Sequence, residues 1–154
     1  MEQNAKPKMV GLIKKFDQKL CNKYDLPARN IVKKQLGEEN IIDNPDIYAE
    51  DMIICNPECK YKYLELQVCV AWKEDKFPYS NPFVYERKAH FSSDTLFLIF
   101  NKWMTKGLIF SRNALYKKPR RLKKYSRNFV YEVPWNKVLP ICLCSLDMDV
   151  LNIY

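Results

Sequence analysis

Two carboxylates and an amide in the middle of the chain have residue types and spacing that suit a metal-assisted hydrolytic site. Glu65 and Gln67 alternate with apolar residues in the run YLELQV, and Asp51 precedes the apolar run MIIC. Carboxylate and amide oxygens suit a hard divalent cation such as Mg²⁺, which keeps several waters when bound to protein. One of these waters can become a nucleophile while the cation neutralises a phosphate. These residue types therefore predict hydrolysis assisted by a divalent cation.

The turn between the two runs predicts which side chains meet. The segment NPECK carries a turn dipeptide, so we expect an antiparallel hairpin. A turn centred on Glu58 places Asp51 opposite Glu65, because each lies seven residues from it, and Gln67 follows on the same face. An ionised Glu65 inside an apolar strand is expensive to bury without a charged partner. A bound cation would offset that cost.

This arrangement resembles the signature of the PD-(D/E)XK nuclease superfamily, an Asp at the start of one strand and acid-x-Lys on the next. Asp51 and Glu65-Leu66-Gln67 match it, and the resemblance covers roughly residues 26–112. It implies an α/β (α+β) domain with a restriction-endonuclease-like core, a central mixed sheet flanked by helices. It also implies Mg²⁺ or Mn²⁺ held by Asp51 and Glu65, and hydrolysis of DNA phosphodiester bonds in repair, junction resolution or restriction. Relatives of this fold dimerise to cut two strands, which leaves a homodimer open.

The match departs from the family pattern at Gln67, which stands where the family usually has Lys. Gln67 can position a water, but it brings no positive charge to the transition state. The resemblance implies that Lys88, in the predicted helical piece VYERKAHF, supplies that charge and contacts the scissile phosphate. Asp46, in a literal Pro-Asp pair, is the alternative metal ligand. In a regular strand it faces away from Asp51, so a β-bulge would be needed to reverse the choice.

The distribution of charge favours a polyanionic partner. The net charge of +8 divides into +6 over residues 1–37, −7 over 38–58, +11 over 59–127 and −2 over 128–154. The segment 117–127 is rich in basic side chains and contains no acid. Its basic residues are Lys117, Lys118, Arg120, Arg121, Lys123, Lys124 and Arg127. Such a stretch predicts contacts to DNA phosphates that weaken steeply with salt, although a solvated loop or a nuclear-import signal has the same composition.

The length of 154 residues and the 47% hydrophobic content predict one domain over residues 1–154. Apolar spacing predicts helices within 9–37, the second capped by Asp25 and ended by Gly37. The apolar runs TLFLIF and GLIFSR predict a second hairpin, and FVYEV predicts a late strand. The apolar character of nearly every strand position indicates a sheet that is covered on both faces.

Composition also bears on location and on the competing functions. The sequence shows no signal peptide or membrane-length apolar run, so we expect no membrane partner and an intracellular protein, in cytoplasm or nucleus, with reduced cysteines. The stretch from YERK to KPRRLKKYSR also resembles small proteins of large DNA viruses. The competing hypothesis is a catalytically inactive nucleic-acid-binding or virion-associated structural protein, which Gln67 favours. A protein-interaction module is a third reading.

Overall fold

A six-stranded mixed sheet organises the part of the chain that the computed structural model describes, namely Lys19, residues 21–121 and residues 129–153. The predicted helix before residue 21 lies outside this part except for Lys19. The described strands are β1 (Ile41–Asp43), β2 (Met52–Ile54), β3 (Tyr63–Val68), β4 (Phe83–Tyr85), β5 (Thr95–Phe100), β6 (Lys106–Ser111), β7 (Arg120–Arg121), β8 (Phe129–Glu132) and β9 (Leu139–Cys142).

The strands form two sheets. The larger has the order β1-β2-β3-β5-β6-β9, and the smaller has the order β4-β8-β7. Neighbouring strands are antiparallel except β3 and β5, which run parallel. A parallel pair needs a crossover connection, and residues 69–94 provide it. The two predicted hairpins, β2 with β3 and β5 with β6, are both present.

Helix α1 (Leu26–Leu36) lies against one face of the large sheet. Ala28, Val32 and Leu36 are buried there, as their helical spacing predicts. Ile31 is half-buried and packs against the same apolar layer. The amphipathic stripe thus fixes which side of the helix meets the sheet.

The predicted end of α1 is confirmed and its predicted cap is wrong. Gly37 has a φ of 87° and donates its N–H to the Lys33 carbonyl at 2.8 Å, which ends the helix. Asp25 makes no capping hydrogen bond, because a π-helical turn (Cys21–Asp25) runs directly into the helix and keeps Asp25 helical. Its carboxylate instead accepts a hydrogen bond from Arg29 Nε at 3.2 Å.

Strand β5 is buried on both faces and separates two apolar layers. Leu96, Leu98 and Phe100 join the layer beneath α1, whereas Phe97 and Ile99 point into the layer on the other side. The second layer is completed by Trp72, Phe77, Val84, Leu108, Phe110, Ala114, Val133 and Val138. The prediction of a sheet covered on both faces is therefore confirmed.

The cover on the second face is not helical, which corrects one part of the predicted architecture. Val84 lies in β4 and Val133 directly follows β8, so the small sheet contributes to that cover. In the described part of the chain, α1 is the one helix longer than a turn or two. The prediction of helices on both flanks is therefore right for one face and wrong for the other within the described residues.

The segment VYERKAHF is also not the predicted helix. Its first residues belong to β4, and Glu86–Lys88 form a single 3₁₀ turn. The aromatic and β-branched residues of FVY favour extended backbone, and strand pairing with β8 holds it. All six cysteines lie in the described part and carry free thiols, as predicted. Among the described residues, no helix is long and apolar enough to cross a membrane.

Candidate active site

Asp51 and Glu65 lie close together at the start of strand β2. Strand β3 pairs with β2 there and continues past the end of that pairing. Met52 pairs with Leu64, which is the register that the turn predicts. The Asp51 N–H donates a hydrogen bond to Glu65 Oε1 at 2.9 Å, and Asp51 Oδ2 accepts one from the Leu66 N–H at 2.9 Å. The Asp51 side chain thus takes the place of a strand partner along β3. The two carboxyl groups converge as the hairpin register predicts.

Arg29, from helix α1, fixes the orientation of Asp51. Its Nη2 lies 2.8 Å from Asp51 Oδ1, and its Nη1 donates to the Asp51 carbonyl at 2.9 Å. The same guanidinium reaches Asp43 and Asp25, each at 3.2 Å. One residue therefore connects α1, β1 and the start of β2. Sequence reasoning missed Arg29, and its spacing of four residues from Asp25 is the only local signal that points to it.

Lys88 lies at the site on a 3₁₀ turn rather than on the predicted helix, and it contacts the Glu65 carboxylate. Its Nζ lies 3.0 Å from Glu65 Oε2 and donates to the Leu66 carbonyl at 3.3 Å. The Lys88 ammonium is thus bound by two oxygens of β3, one from the Glu65 side chain and one from the Leu66 backbone. Glu65 is 5% exposed, so this ion pair is deeply buried.

The electrostatics of the pair are dominated by burial. Burial raises the pKa of Glu65 to about 7, the Asp51 charge adds to the rise, and Lys88 opposes it. Burial likewise raises the pKa of Asp51, and the positive charges of Lys88 and Arg29 oppose that rise. Additional positive charge nearby would therefore stabilise the ionised form of both carboxylates.

Gln67 extends the cluster on the face of β3 that carries Glu65. Its Oε1 atom is buried and receives no hydrogen bond from any described residue. A buried acceptor without a donor costs about 1–3 kcal/mol, which a bound water or cation would recover. Asp51, Glu65 and Gln67 supply carboxylate and amide oxygens, which are the ligand types that Mg²⁺ or Mn²⁺ takes. No group of three His, Cys, Asp or Glu side chains that could hold a metal occurs in the described part.

Asp46, the alternative ligand, does not join this cluster. It lies in an exposed turn outside any strand, where its Oδ1 accepts the Tyr48 N–H at 3.0 Å. The argument from strand parity therefore does not apply to it, and no bulge brings it to Asp51. A different acid, Glu50, is buried beside the site instead. Its Oε2 accepts hydrogen bonds from Thr95 Oγ1 at 2.6 Å and from the Ser92 N–H at 3.1 Å, which anchors the start of β5.

Arg87 shares the 3₁₀ turn with Lys88 and was not singled out by the sequence. Its guanidinium lies over the ring of Tyr85, 4.9 Å from the centroid. Burial lowers the pKa of Arg87, and the charges of Tyr85 and Glu65 oppose that shift. Within the described part of the chain, the Arg87 side chain makes no hydrogen bond and no ion pair.

The predicted phosphate-binding segment is described only in part. Lys117 and Lys118 are exposed, and Arg120–Arg121 form β7 against β8. Arg120 Nε lies 3.1 Å from Glu132 Oε2. Lys123, Lys124 and Arg127 lie outside the described residues.

Comparisons of the chain with models of known protein families, with curated proteins and with solved structures found no match.

Proposed function

We propose that the chain is a metal-dependent nuclease that hydrolyses DNA phosphodiester bonds. The observation that carries the proposal is the meeting of the buried Glu65 carboxylate and the partly exposed Asp51 carboxylate with the ammonium of Lys88. The Gln67 oxygen on the same strand, which no described residue satisfies, supports it. Buried acids with strongly perturbed pKa values are more typical of functional sites than of ordinary surfaces.

Each residue of the cluster has a distinct role in this proposal. Asp51 and Glu65 would hold Mg²⁺ or Mn²⁺, which when bound supplies an activated water and neutralises phosphate charge. Arg29 keeps the Asp51 carboxylate in one orientation. Gln67 Oε1 accepts a hydrogen bond from water, and Lys88 contributes the positive charge that Gln67 lacks.

The order of elements also supports the resemblance to the PD-(D/E)XK superfamily. Helix α1 precedes the hairpin of β2 and β3, which carry the two acids, and the turn with Lys88 follows before β5. The net charge of +8 favours approach to DNA. The helix that the resemblance implies after β3 is a single 3₁₀ turn in the described part, so the order of elements supports the resemblance only in part.

The test is a cleavage assay with matched variants. Supercoiled plasmid, linear duplex and branched duplex DNA are incubated with the protein in Mg²⁺, in Mn²⁺ and in EDTA. We expect metal-dependent cleavage by the wild type and by Lys34→Ala, and none by Glu65→Gln or Asp51→Asn. Lys34 is exposed on α1, across the sheet from Glu65, so its variant controls for charge and handling. Cleavage that persists in Glu65→Gln would overturn the assignment.

A second candidate function is DNA binding without catalysis, in a nucleic-acid-binding or virion-associated structural protein. The observation that favours it is that Arg29 and Lys88 already neutralise the two carboxylates. The two functions differ in their response to metal. A nuclease site predicts that Mg²⁺ raises the melting temperature and that Asp51→Asn abolishes the rise, whereas the inactive protein predicts no rise.

A further inference from the structure

We propose that Arg87 is the side chain that binds a backbone phosphate of DNA at this site, while Lys88 remains engaged with Glu65. This inference rests on the proposed function for its substrate and deepens it by naming the phosphate-contacting residue. It replaces the expectation that Lys88 makes this contact.

Lys88 already contacts two oxygen atoms of the protein. Its Nζ contacts Glu65 Oε2 at 3.0 Å and the Leu66 carbonyl at 3.3 Å, so a phosphate would have to compete with a buried carboxylate for it. Its side chain is also only 15% exposed. Lys88 therefore presents few donors to an incoming substrate.

Arg87 is in the opposite situation. It is half-buried, it stacks on Tyr85, and none of its donors meets an acceptor in the described part of the chain. A guanidinium remains charged at any ordinary pH, and no Arg87 nitrogen is among the fully buried, unpaired polar atoms of the described residues, so its donors are open to an incoming group. The Tyr85 ring contributes a cation–π contact that holds the guanidinium in place. A phosphate, which accepts two parallel hydrogen bonds from one guanidinium, suits these open donors.

The position of Arg87 suits a substrate that reaches Glu65. Arg87 and Lys88 are neighbours in one 3₁₀ turn, and Lys88 touches the Glu65 carboxylate. Consecutive side chains in such a turn point about 120° apart, so one can face Glu65 while the other faces outward. The influence of Glu65 on the pKa of Arg87 agrees with this proximity.

The small sheet extends the positive surface from Arg87 towards the basic segment. Tyr85 pairs with Val130, and Val130 pairs with Arg120, so Tyr85 and Arg120 share one face of that sheet. Two strand spacings separate them by about 10 Å. Arg120 Nε is paired with Glu132 Oε2 at 3.1 Å, but the side chain is half exposed, so Arg87 over Tyr85 is the first contact to a DNA backbone and Arg120 is a weaker second one.

The experiment measures binding without cleavage. A fluorescent DNA duplex is titrated in EDTA with wild type, Arg87→Ala, Arg87→Lys and the control Lys34→Ala, at several salt concentrations. We expect Arg87→Ala to weaken binding about 3- to 10-fold and to reduce the slope of log K against log salt by about 0.9, the loss of one phosphate contact. Arg87→Lys should keep the slope and part of the affinity, and Lys34→Ala should match wild type. Melting curves confirm that each variant is folded.

The proposal is overturned if Arg87→Ala binds with wild-type affinity and slope, or if the wild type shows no salt-dependent DNA binding. These outcomes are separate from the fate of the nuclease assignment. Cleavage by the wild type together with unchanged binding by Arg87→Ala would refute the role of Arg87 and support the nuclease assignment. Binding that depends on Arg87 without any cleavage would support the phosphate contact and refute the nuclease assignment.

Discussion

Replacing Lys88 by methionine isolates the energetics of the buried pair at the centre of the site. Methionine has a similar length and an unbranched chain, so it fills the space without the charge. The change removes the 3.0 Å contact to Glu65 Oε2 and the 3.3 Å hydrogen bond to the Leu66 carbonyl. We expect a loss of stability that grows with pH.

The magnitude follows from the proton on Glu65, whose ordinary pKa is 4.5 and whose pKa in the folded protein is about 7. Because the folded state holds this proton more tightly than the unfolded state, wild-type stability falls as the pH rises through that interval. Without Lys88 the pKa rises further, so the fall continues above pH 7, at about 1.4 kcal/mol per pH unit. Near pH 6 the variant should lose about 1 kcal/mol from the missing hydrogen bonds. Near pH 8.5 the loss should reach about 3 kcal/mol, the low end of the range for a broken buried ion pair.

Urea unfolding at both pH values, without metal, measures the two losses. Lys34→Met is the matched control, because Lys34 is exposed on α1 and its replacement should have a small effect at either pH. The double variant Glu65→Gln/Lys88→Met should not show the additional loss of stability at high pH, because it has no carboxyl group at position 65 to ionise. An equal loss at both pH values, or an undiminished pH dependence in the double variant, would refute the reasoning.

Two further substitutions test how the site is supported. Arg29→Ala leaves Asp51 Oδ1 without its 2.8 Å partner and disconnects α1 from the hairpin, so urea unfolding should show a loss of about 2–4 kcal/mol, and Arg29→Lys should recover part of it. A wild-type stability for Arg29→Ala would contradict this reading. Gly37→Ala places a Cβ at a φ of 87° and against the Glu39 carboxylate, so thermal unfolding should show a loss of about 1–2 kcal/mol. An unchanged melting temperature would show that the backbone relaxes there.

The convergence of Asp51 and Glu65 could be predicted because it depends on local rules. A turn dipeptide fixes the register of a short hairpin, and the alternation of side chains fixes the face. The observed pairing of Met52 with Leu64 follows that register. The stripe of α1 and the stop at Gly37 could be predicted for the same reason, since each depends on residues within a few positions.

Long-range contacts could not be predicted in this way. Strands β1 and β4 are three residues each, too short for a periodic pattern, and their pairing is decided by tertiary partners. Asp46 follows β1 in an exposed turn, so reasoning from a regular strand failed there. Arg29 is 22 residues from Asp51 and looks like any other exposed basic helix residue until the helix packs.

The charges around Glu65 explain why DNA binding alone does not distinguish the two candidate functions. Arg29 shares its charge among Asp51, Asp43 and Asp25, and Lys88 is paired with Glu65, so among the described residues Arg87 is the cation beside the site that is left to attract a phosphate before any metal binds. A protein with an inactive site would keep Arg87, and with it that attraction. A divalent cation must instead share Glu65 with the Lys88 ammonium, which already fills one side of the carboxylate. Metal-dependent stabilisation that Asp51→Asn abolishes is consequently the observation that separates a nuclease from a DNA-binding protein.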